Sequence, residues 1–301
     1  MDEQIPSLKR IVNLVHYHES KMGIQLAHAG RKGSTYAPGF IKGHRTIPKE
    51  EGGWQTVAPS AIAYSPEMDT PRELSIDEIH EIVDAFAAAA KRAVAAGYDF
   101  IQIHAAHGYL LHEFLSPLSN HRTDEYGGSF ENRIRIVHEV VQAVRAVIPE
   151  EMPLFIRISM SDLVEGGWDM DQSCQLVDKL YEDGIDGVDC SNGGTSPAQQ
   201  IPKEWDFQVK MAVELKERTG ALVFGSGGVG DAMSATYAVD QLELDAVDIG
   251  RATLRYAFNP YCIALDLEQP VPPFPLHLKS VAYRPFHLLY SSVCHKQVNN
   301  S

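Results

Sequence analysis

Phe100-Ile-Gln-Ile-His104-Ala-Ala-His107-Gly-Tyr109 joins a strand signal to a chemically dense turn. Phe100–His104 is short, apolar and rich in β-formers, the composition of a buried strand. The run breaks where two imidazoles three positions apart are followed by a phenol two further on. In sheets with parallel strands, ligand-handling groups gather at the C-terminal strand ends. Imidazole N–H groups can hold a carbonyl or phenolate oxygen. A phenol with a pKa near about 10 can donate a proton to a developing carbanion. The pair also admits a capping or metal-site reading, but it lacks the glutamate of a zinc hydrolase, and no metal is assigned.

Working outward, five more apolar runs have strand length: Met22–Ala27, Leu154–Ser159, Gly187–Ser191, Leu222–Gly225 and Ala246–Gly250. Helical spacing lies between them. Ile76, Ile79, Val83, Phe86, Ala90, Ala93 and Val94 form one stripe, and Ile134, Val137, Val141, Val144 and Ile148 another. Ser75 with Glu78 predicts a capping box, and Gly97, Gly184 and Gly220 predict helix stops. Strand alternating with helix implies an α/β fold with a parallel sheet and right-handed crossovers. A doubly wound sheet and a closed barrel both fit, and periodicity does not choose between them. Gly30–Thr70 is aperiodic and rich in Gly, Pro, Ser and Lys, as lids and binding loops are. Within it, Tyr36 and Trp54 are candidates either to line a site or to pack it, with packing the favoured reading.

The 301 residues are 44% hydrophobic, enough for one large core, and one domain is expected over 1–270 with an extended arm over 271–301. A formal charge of −14 disfavours nucleic acid and anionic membrane as partners. No apolar run approaches the roughly 18 residues of a membrane span, and the acidic N-terminus is no signal peptide. Cys174, Cys190, Cys262 and Cys294 form no CxxC, which predicts reduced thiols and a cytoplasmic protein.

The turn continues into HAAHGYLLHEFLSPLSNHRTDEYGGSFENR, from His104 to Arg133. This stretch resembles the signature of the old yellow enzymes, in particular the bacterial-type branch also found in fungi. GIQLAHAGRKG at Gly23–Gly33, RISMSD at Arg157–Asp162 and DIGR at Asp248–Arg251 extend the similarity over roughly Met22 to Pro260. The resemblance implies a TIM (β/α)₈ barrel that binds FMN. It implies an NAD(P)H-dependent flavin oxidoreductase, with NADPH or NADH as hydride donor and an enone or enal as substrate. His104 and His107 would hold the substrate's electron-withdrawing group, and Tyr109 would protonate Cα. Gln25 would meet the pyrimidine edge of the flavin. Arg157 would sit by N1 and O2, where a fixed guanidinium offsets charge gained on reduction. The structural alternatives are an ion pair for Arg157 and an interior hydrogen bond for Gln25. Gly225–Gly230 matches GxGxxG, a weak signal alone. It follows the second-to-last strand, so Gly227, Gly228, Gly250 and Arg251 are read as holding the FMN phosphate.

Six strand signals are present, whereas a closed barrel of this type has eight. Gly23 aligns with the family's third strand and Ile5–Ser20 with its second helix, with Ile5, Leu8, Ile11, Val12 and Val15 on one side. The first two strands, and the cysteine that tunes the flavin in this branch, are therefore expected to be missing, leaving an incomplete barrel with open edges. Tyr283 and Arg284 are candidates for the aromatic–arginine pair with which relatives reach a neighbouring subunit in a homo-oligomer. The function expected is reduction of the C=C bond of α,β-unsaturated carbonyl compounds, with a biosynthetic role as one setting. The alternative is a truncated, inactive barrel acting as a binding or scaffold subunit. A Schiff-base aldolase would need a strand-end lysine that the later strands lack.

Overall fold

A computed structural model describes residues 1–37 and 45–270. The arm expected over 271–301, with Tyr283 and Arg284, lies outside the described residues. Eight strands run β1 (Gly23–Leu26), β2 (Val57–Ala58), β3 (Arg72–Glu73), β4 (Phe100–Ala105), β5 (Leu154–Ser159), β6 (Gly187–Ser191), β7 (Val223–Ser226) and β8 (Ala246–Asp248). The helices are α1 (Ile5–Tyr17), α2 (Ile76–Ala96), α3 (Leu110–Leu115), α4 (Phe130–Arg145), α5 (Met170–Glu182), α6 (Phe207–Thr219), α7 (Ala232–Thr236), α8 (Arg251–Arg255) and α9 (Asn259–Asp266).

Six strands form one parallel sheet in the order β1-β4-β5-β6-β7-β8. This order decides what periodicity left open. A doubly wound sheet reverses its strand order at a switch point, whereas a barrel adds strands in chain order. The two faces agree with a barrel. Ile101, Ile103, Leu154, Ile156, Ile158, Val188, Cys190 and Val223 are fully buried on the helix-covered side. Phe100, Gln102, Phe155, Arg157 and Phe224 alternate with them and are only partly buried. The chain therefore builds a six-stranded arc of a (β/α) barrel. Among the described residues, β1 pairs only with β4 and β8 only with β7. β2 and β3 form a separate parallel pair, so the aperiodic Gly30–Thr70 stretch and its flank contain two short strands that periodicity could not register.

The first compact unit comprises Met1–Val229 and Met233–Ile249; the second comprises Gly230–Ala232 and the described residues from Gly250. In the second, the Asn259 amide donates to the Gly230 carbonyl at 2.8 Å. In the first, α2 buries Ile79, Phe86, Ala90 and Ala93 along the predicted stripe. In α1 only Val12 is fully buried; Ile11, assigned to the same face, is 49% exposed. Trp54 is 59% exposed, so the packing role expected for it is not realised.

Ser75 Oγ accepts from the Glu78 amide at 3.3 Å, and the Ser75 amide donates to Glu78 Oε2 at 2.9 Å. These bonds satisfy donors that the first turn of a helix leaves open. Ser75→Ala is expected to cost about 1 kcal/mol, read as a lower urea midpoint at unchanged m-value. No shift would mean that the cap contributes nothing.

Candidate active site

His104, the fifth residue of β4, points to the inner face, and His107 and Tyr109 follow on the turn that leads into α3. The structure gathers all three: the His104 ring centroid lies 5.2 Å from that of His107 and 5.2 Å from that of Tyr109. The turn is forced. His107 has φ +59° and Gly108 φ +67°, both left-handed. A Cβ on Gly108 would stand 2.2 Å from the Gly194 carbonyl oxygen, and one on Gly194 would stand 2.5 Å from the His107 backbone. The two turns thus meet backbone to backbone, at a distance only glycine permits.

Three side chains lock this contact. The His107 amide donates to Ser159 Oγ at 2.9 Å, and Ser159 Oγ–H donates to the Gly193 carbonyl at 2.9 Å. Lys32 Nζ donates to the His107 carbonyl at 2.8 Å and the Gly194 carbonyl at 3.0 Å. Ser191 Oγ lies 2.6 Å from His107 Nε2 and fixes the ring's rotation. Behind the turn, the Gly108 amide donates to His112 Nδ1 at 2.8 Å, so His112 presents Nε2–H to Asp162 Oδ1 at 3.0 Å. Burial works to raise the Asp162 pKa, but the hydrogen bonds from His112, Ser116 and the Trp168 amide outweigh it and hold the group at about 2.

Burial also sets the imidazoles. It lowers His104 to about 4, with the positive charge of Arg157 adding to the effect. It lowers His107 to about 3, again with Arg157 as the next cause. Both rings are neutral at pH 7. Neither ring nitrogen of His104 has a hydrogen-bond partner, although both are buried. Buried polar atoms are rarely left unpaired in a finished site, so His104 is open to a ligand oxygen. Lys32 is lowered to about 8 by burial, against the pull of Glu113. Its ammonium stands 4.6 Å from the Tyr64 ring centroid and 5.2 Å from that of Tyr109. Glu113, fully buried, is raised to about 8 by desolvation, with Arg31 and Lys32 pulling it back.

Gln25 and Arg157 lie on the same inner face. Gln25 Nε2 donates to Gln102 Oε1 at 2.5 Å, and Gln102 Nε2 donates to Asp189 Oδ2 at 3.1 Å. Arg157 Nε stands 3.1 Å from Asp189 Oδ2 without hydrogen-bond alignment, which leaves its proton unused. An ion pair for Arg157 and a hydrogen bond from Gln25 to a neighbouring strand are therefore present, the latter solvent-exposed and not interior. Gly227 and Gly228 have φ +91° and +79°, and a Cβ on them would meet Gln208 Nε2 at 2.9 Å and the Trp205 carbonyl at 2.5 Å. Packing alone demands these glycines. Gly250 and Arg251 open α8 and belong to the second unit.

Sequence reasoning missed Lys32, Gln102, Ser159, Asp189, Ser191 and Asn192. Asn192 follows β6 and has a buried amide with neither end hydrogen-bonded. The available signal was a polar residue inside, or at the C-terminal end of, an apolar strand, which on a barrel marks the inner face or the mouth.

The neutral histidines predict an acid response. An unfolded imidazole gains its proton near 6.5, whereas folded His104 and His107 resist until about 4 and about 3. Stability from this source is complete above 6.5 and is lost as pH falls toward the folded values. The urea midpoint is expected to drop from about pH 7 to about pH 5, and to drop less in His104→Asn than in the parent chain. Equal drops would show that His104 is not held neutral.

The profile of the NADH:flavin oxidoreductase / NADH oxidase family matches residues 1–269. An NADH:flavin oxidoreductase of Gibberella zeae is 43% identical over 276 residues, covering 86% of this chain and 66% of that one. The NADPH dehydrogenase of Bacillus subtilis is 39% identical over 271 residues, covering 90% and 74%. The chain thus spans about two thirds to three quarters of these relatives. Among solved structures, morphinone reductase in complex with tetrahydroNAD superposes with a TM-score of 0.70 at 28% identity, covering 91% of this chain and 73% of that one. The old yellow enzyme homologue of Zymomonas mobilis gives 0.69 at 27%, covering 92% and 75%. No described helix is long and apolar enough to cross a membrane. With strand order, inner-face chemistry and relatives in agreement, the chain belongs to the NADH:flavin oxidoreductase / NADH oxidase family, that of the old yellow enzymes.

Proposed function

We propose that this chain is an FMN-dependent NAD(P)H oxidoreductase that reduces the C=C bond of α,β-unsaturated ketones and aldehydes. The observation that carries the reading is the cluster of His104, His107 and Tyr109 at one strand end, with both His104 nitrogens unpartnered. The names of the relatives, NADPH dehydrogenase and NADH:flavin oxidoreductase, support the reductase class.

The residues present fit a flavin. Arg157 keeps an unused, buried guanidinium proton, and the Gln25 side chain is exposed on the same face. A planar ring with a hydrogen-bonding edge needs such groups. When bound, FMN supplies the hydride relay between nicotinamide and substrate. Gln25 and Arg157 would hold its pyrimidine side, with the Arg157 charge fixed where electron density rises. Gly227, Gly228, Gly250 and Arg251 are assigned to the phosphate on the family resemblance.

The protein's own part is polarisation and proton delivery. Neutral His104 and His107 donate N–H bonds to the substrate oxygen, His104 from a buried position with no hydrogen-bond partner of its own. Electron density drawn toward that oxygen leaves Cβ electrophilic. Tyr109 then gives its phenolic proton to Cα. Donor and acceptor substrates take turns at one mouth, so no separate nicotinamide domain is required. We assign a cytoplasmic setting from the scattered thiols, a small-molecule enone or enal as partner, and a homo-oligomer as the assembly.

Purified protein titrated with FMN is expected to quench the cofactor's fluorescence and give a bound-flavin absorbance spectrum. A colourless protein that leaves FMN fluorescence unchanged would overturn the reading and favour an inactive scaffold. In the loaded protein, His104→Ala is expected to weaken phenol binding, read from the phenol charge-transfer band. Tyr109→Phe is expected to slow enone turnover by about 10²–10⁴-fold while leaving reduction by NADPH near normal. Enone turnover unaffected by Tyr109→Phe would remove the phenol from the mechanism.

A further inference from the structure

The peptide group between His107 and Gly108 is held at both poles. Lys32 Nζ donates to its carbonyl at 2.8 Å. Its N–H, that of Gly108, donates to His112 Nδ1 at 2.8 Å. His112 lies in α3 and is fully buried. Because Nδ1 receives a proton from the amide, it carries none of its own, and the ring proton is on Nε2. Nε2 stands 3.0 Å from Asp162 Oδ1, the oxygen of that carboxylate with no other donor. Asp162 is fixed in turn, since its Oδ2 accepts from Ser116 Oγ at 2.6 Å and from the Trp168 amide at 2.7 Å. Thr195 Oγ1 lies 3.1 Å from Nδ1 and 3.2 Å from Nε2, against the edge of the ring between them. Neither His112 nor Asp162 exposes any side-chain surface.

We infer that His112 and Asp162 are positioning residues for the proposed reduction: Asp162 orients the imidazole, the imidazole holds the Gly108 amide, and that amide sets how His107 and Tyr109 are presented to substrate. The inference rests on the reductase reading.

The turn needs such a hold. Rotating the peptide changes ψ of His107 and φ of Gly108, and glycine accepts many values of φ. The two hydrogen bonds supply resistance that the residue itself lacks. His107 stands on one side of this peptide and Tyr109 follows directly on the other, so a tilt reaches both. A misplacement of about 1 Å at a reacting group can cost on the order of 10²-fold in rate. A carboxylate behind an imidazole fixes its tautomer and orientation in metal sites and in serine hydrolases. Here the other ring nitrogen meets a backbone N–H where those sites place a metal or a nucleophile.

Substitutions in the full chain separate positioning from packing. Asn Oδ1 branches from Cγ as His Nδ1 does, so His112→Asn keeps an acceptor for the Gly108 amide and gives up the Asp162 contact. Gln Nε2 reaches the level of the imidazole Nε2, so His112→Gln keeps a donor for Asp162 and gives up that acceptor. Asp162→Asn turns its oxygen to the Ser116 and Trp168 donors and its NH₂ to His112, which forces the ring into the Nδ1–H tautomer and breaks the Gly108 bond. In flavin-free protein, nitrogen NMR is expected to show His112 as the Nε2–H tautomer in the parent and the Nδ1–H tautomer in Asp162→Asn. Hydrogen exchange at the Gly108 amide is expected to be slow in the parent and His112→Asn, and fast in His112→Gln and Asp162→Asn. In FMN-loaded protein, oxidation of the reduced flavin by an enone is expected to slow by roughly 10²-fold in His112→Gln and Asp162→Asn, and much less in His112→Asn. Thermal melts are expected in the opposite order for the two His112 variants, since His112→Asn leaves Asp162 without its donor. Rates that instead follow the melting temperatures overturn the positioning role. An Nδ1–H tautomer in the parent overturns it with no substitution at all. A parent chain that takes up no FMN overturns the reductase reading, while tautomer and exchange still decide whether the pair holds the turn. FMN uptake with equal enone rates in the parent and His112→Gln overturns the positioning role and leaves the reductase reading standing.

Discussion

The backbone contact between the His107–Gly108 and Gly193–Gly194 turns is the constraint on which the mouth depends. Peptide groups from two different strand ends touch with no Cβ between them. Such proximity would bury carbonyls at a cost unless donors reached them. Lys32 and Ser159 are those donors. The clamp holds His107 in a left-handed conformation that a residue with a Cβ seldom adopts, which aims the imidazole and sets where Tyr109 begins α3. Strain of this kind persists only where surrounding bonds over-determine it, and functional sites are where it is usually found.

The long signature divides between chemistry and scaffolding. His104, His107 and Tyr109 form the cluster at the mouth. Asn120 instead donates to the Phe114 and Tyr126 carbonyls, and Arg122 to the Pro59 and Leu74 carbonyls. Arg133 reaches the Leu115 carbonyl. Arg122 ties the segment before α4 to the loop region around β2 and β3, while Asn120 and Arg133 brace the segment itself. A dense polar stretch after a catalytic-looking turn reads in sequence as ligand-binding. Much of it is a hydrogen-bonding frame for backbone that has no sheet or helix to satisfy it.

The strands were legible because continuous apolar runs such as Leu154–Ser159 are what a parallel sheet requires. Periodicity could not choose between barrel and doubly wound sheet, since strand order is a property of pairing and leaves no period in the chain; the long signature from His104 to Arg133 carried that choice through its resemblance to a barrel family. The cluster at Tyr109 was legible because three chemically distinctive residues fall within one turn. Lys32 was quoted in the sequence but given no role, because a lysine in a glycine-rich loop reads as solvent-exposed and only the structure brings it to two carbonyls from other segments. Asp189 was hidden for a related reason. In Gly187–Ser191 every residue is buried, and sequence does not reveal which alternate positions face the helices and which face inward.

Along the inner face, side-chain type changes with depth. Phe100, Phe155 and Phe224 form an aromatic layer, with ring centroids 5.5 and 5.0 Å apart at successive contacts. Gln25, Gln102, Arg157 and Asp189 form a polar layer above it, and His104, Ser159 and Ser191 line the mouth. His104 and the Asp189 side chain, each only 4% exposed, lie where charge is screened less than in water. Desolvation first and the Arg157 charge second depress both imidazoles, and desolvation raises the Asp189 carboxyl against the pull of that same charge. Neutral donors at the mouth and a carboxyl with a raised pKa beneath share a leading cause, the burial of those side chains. Admitting water to His104, His107 and Asp189 would weaken both shifts together, whereas changing one polar side chain would alter only its own neighbours.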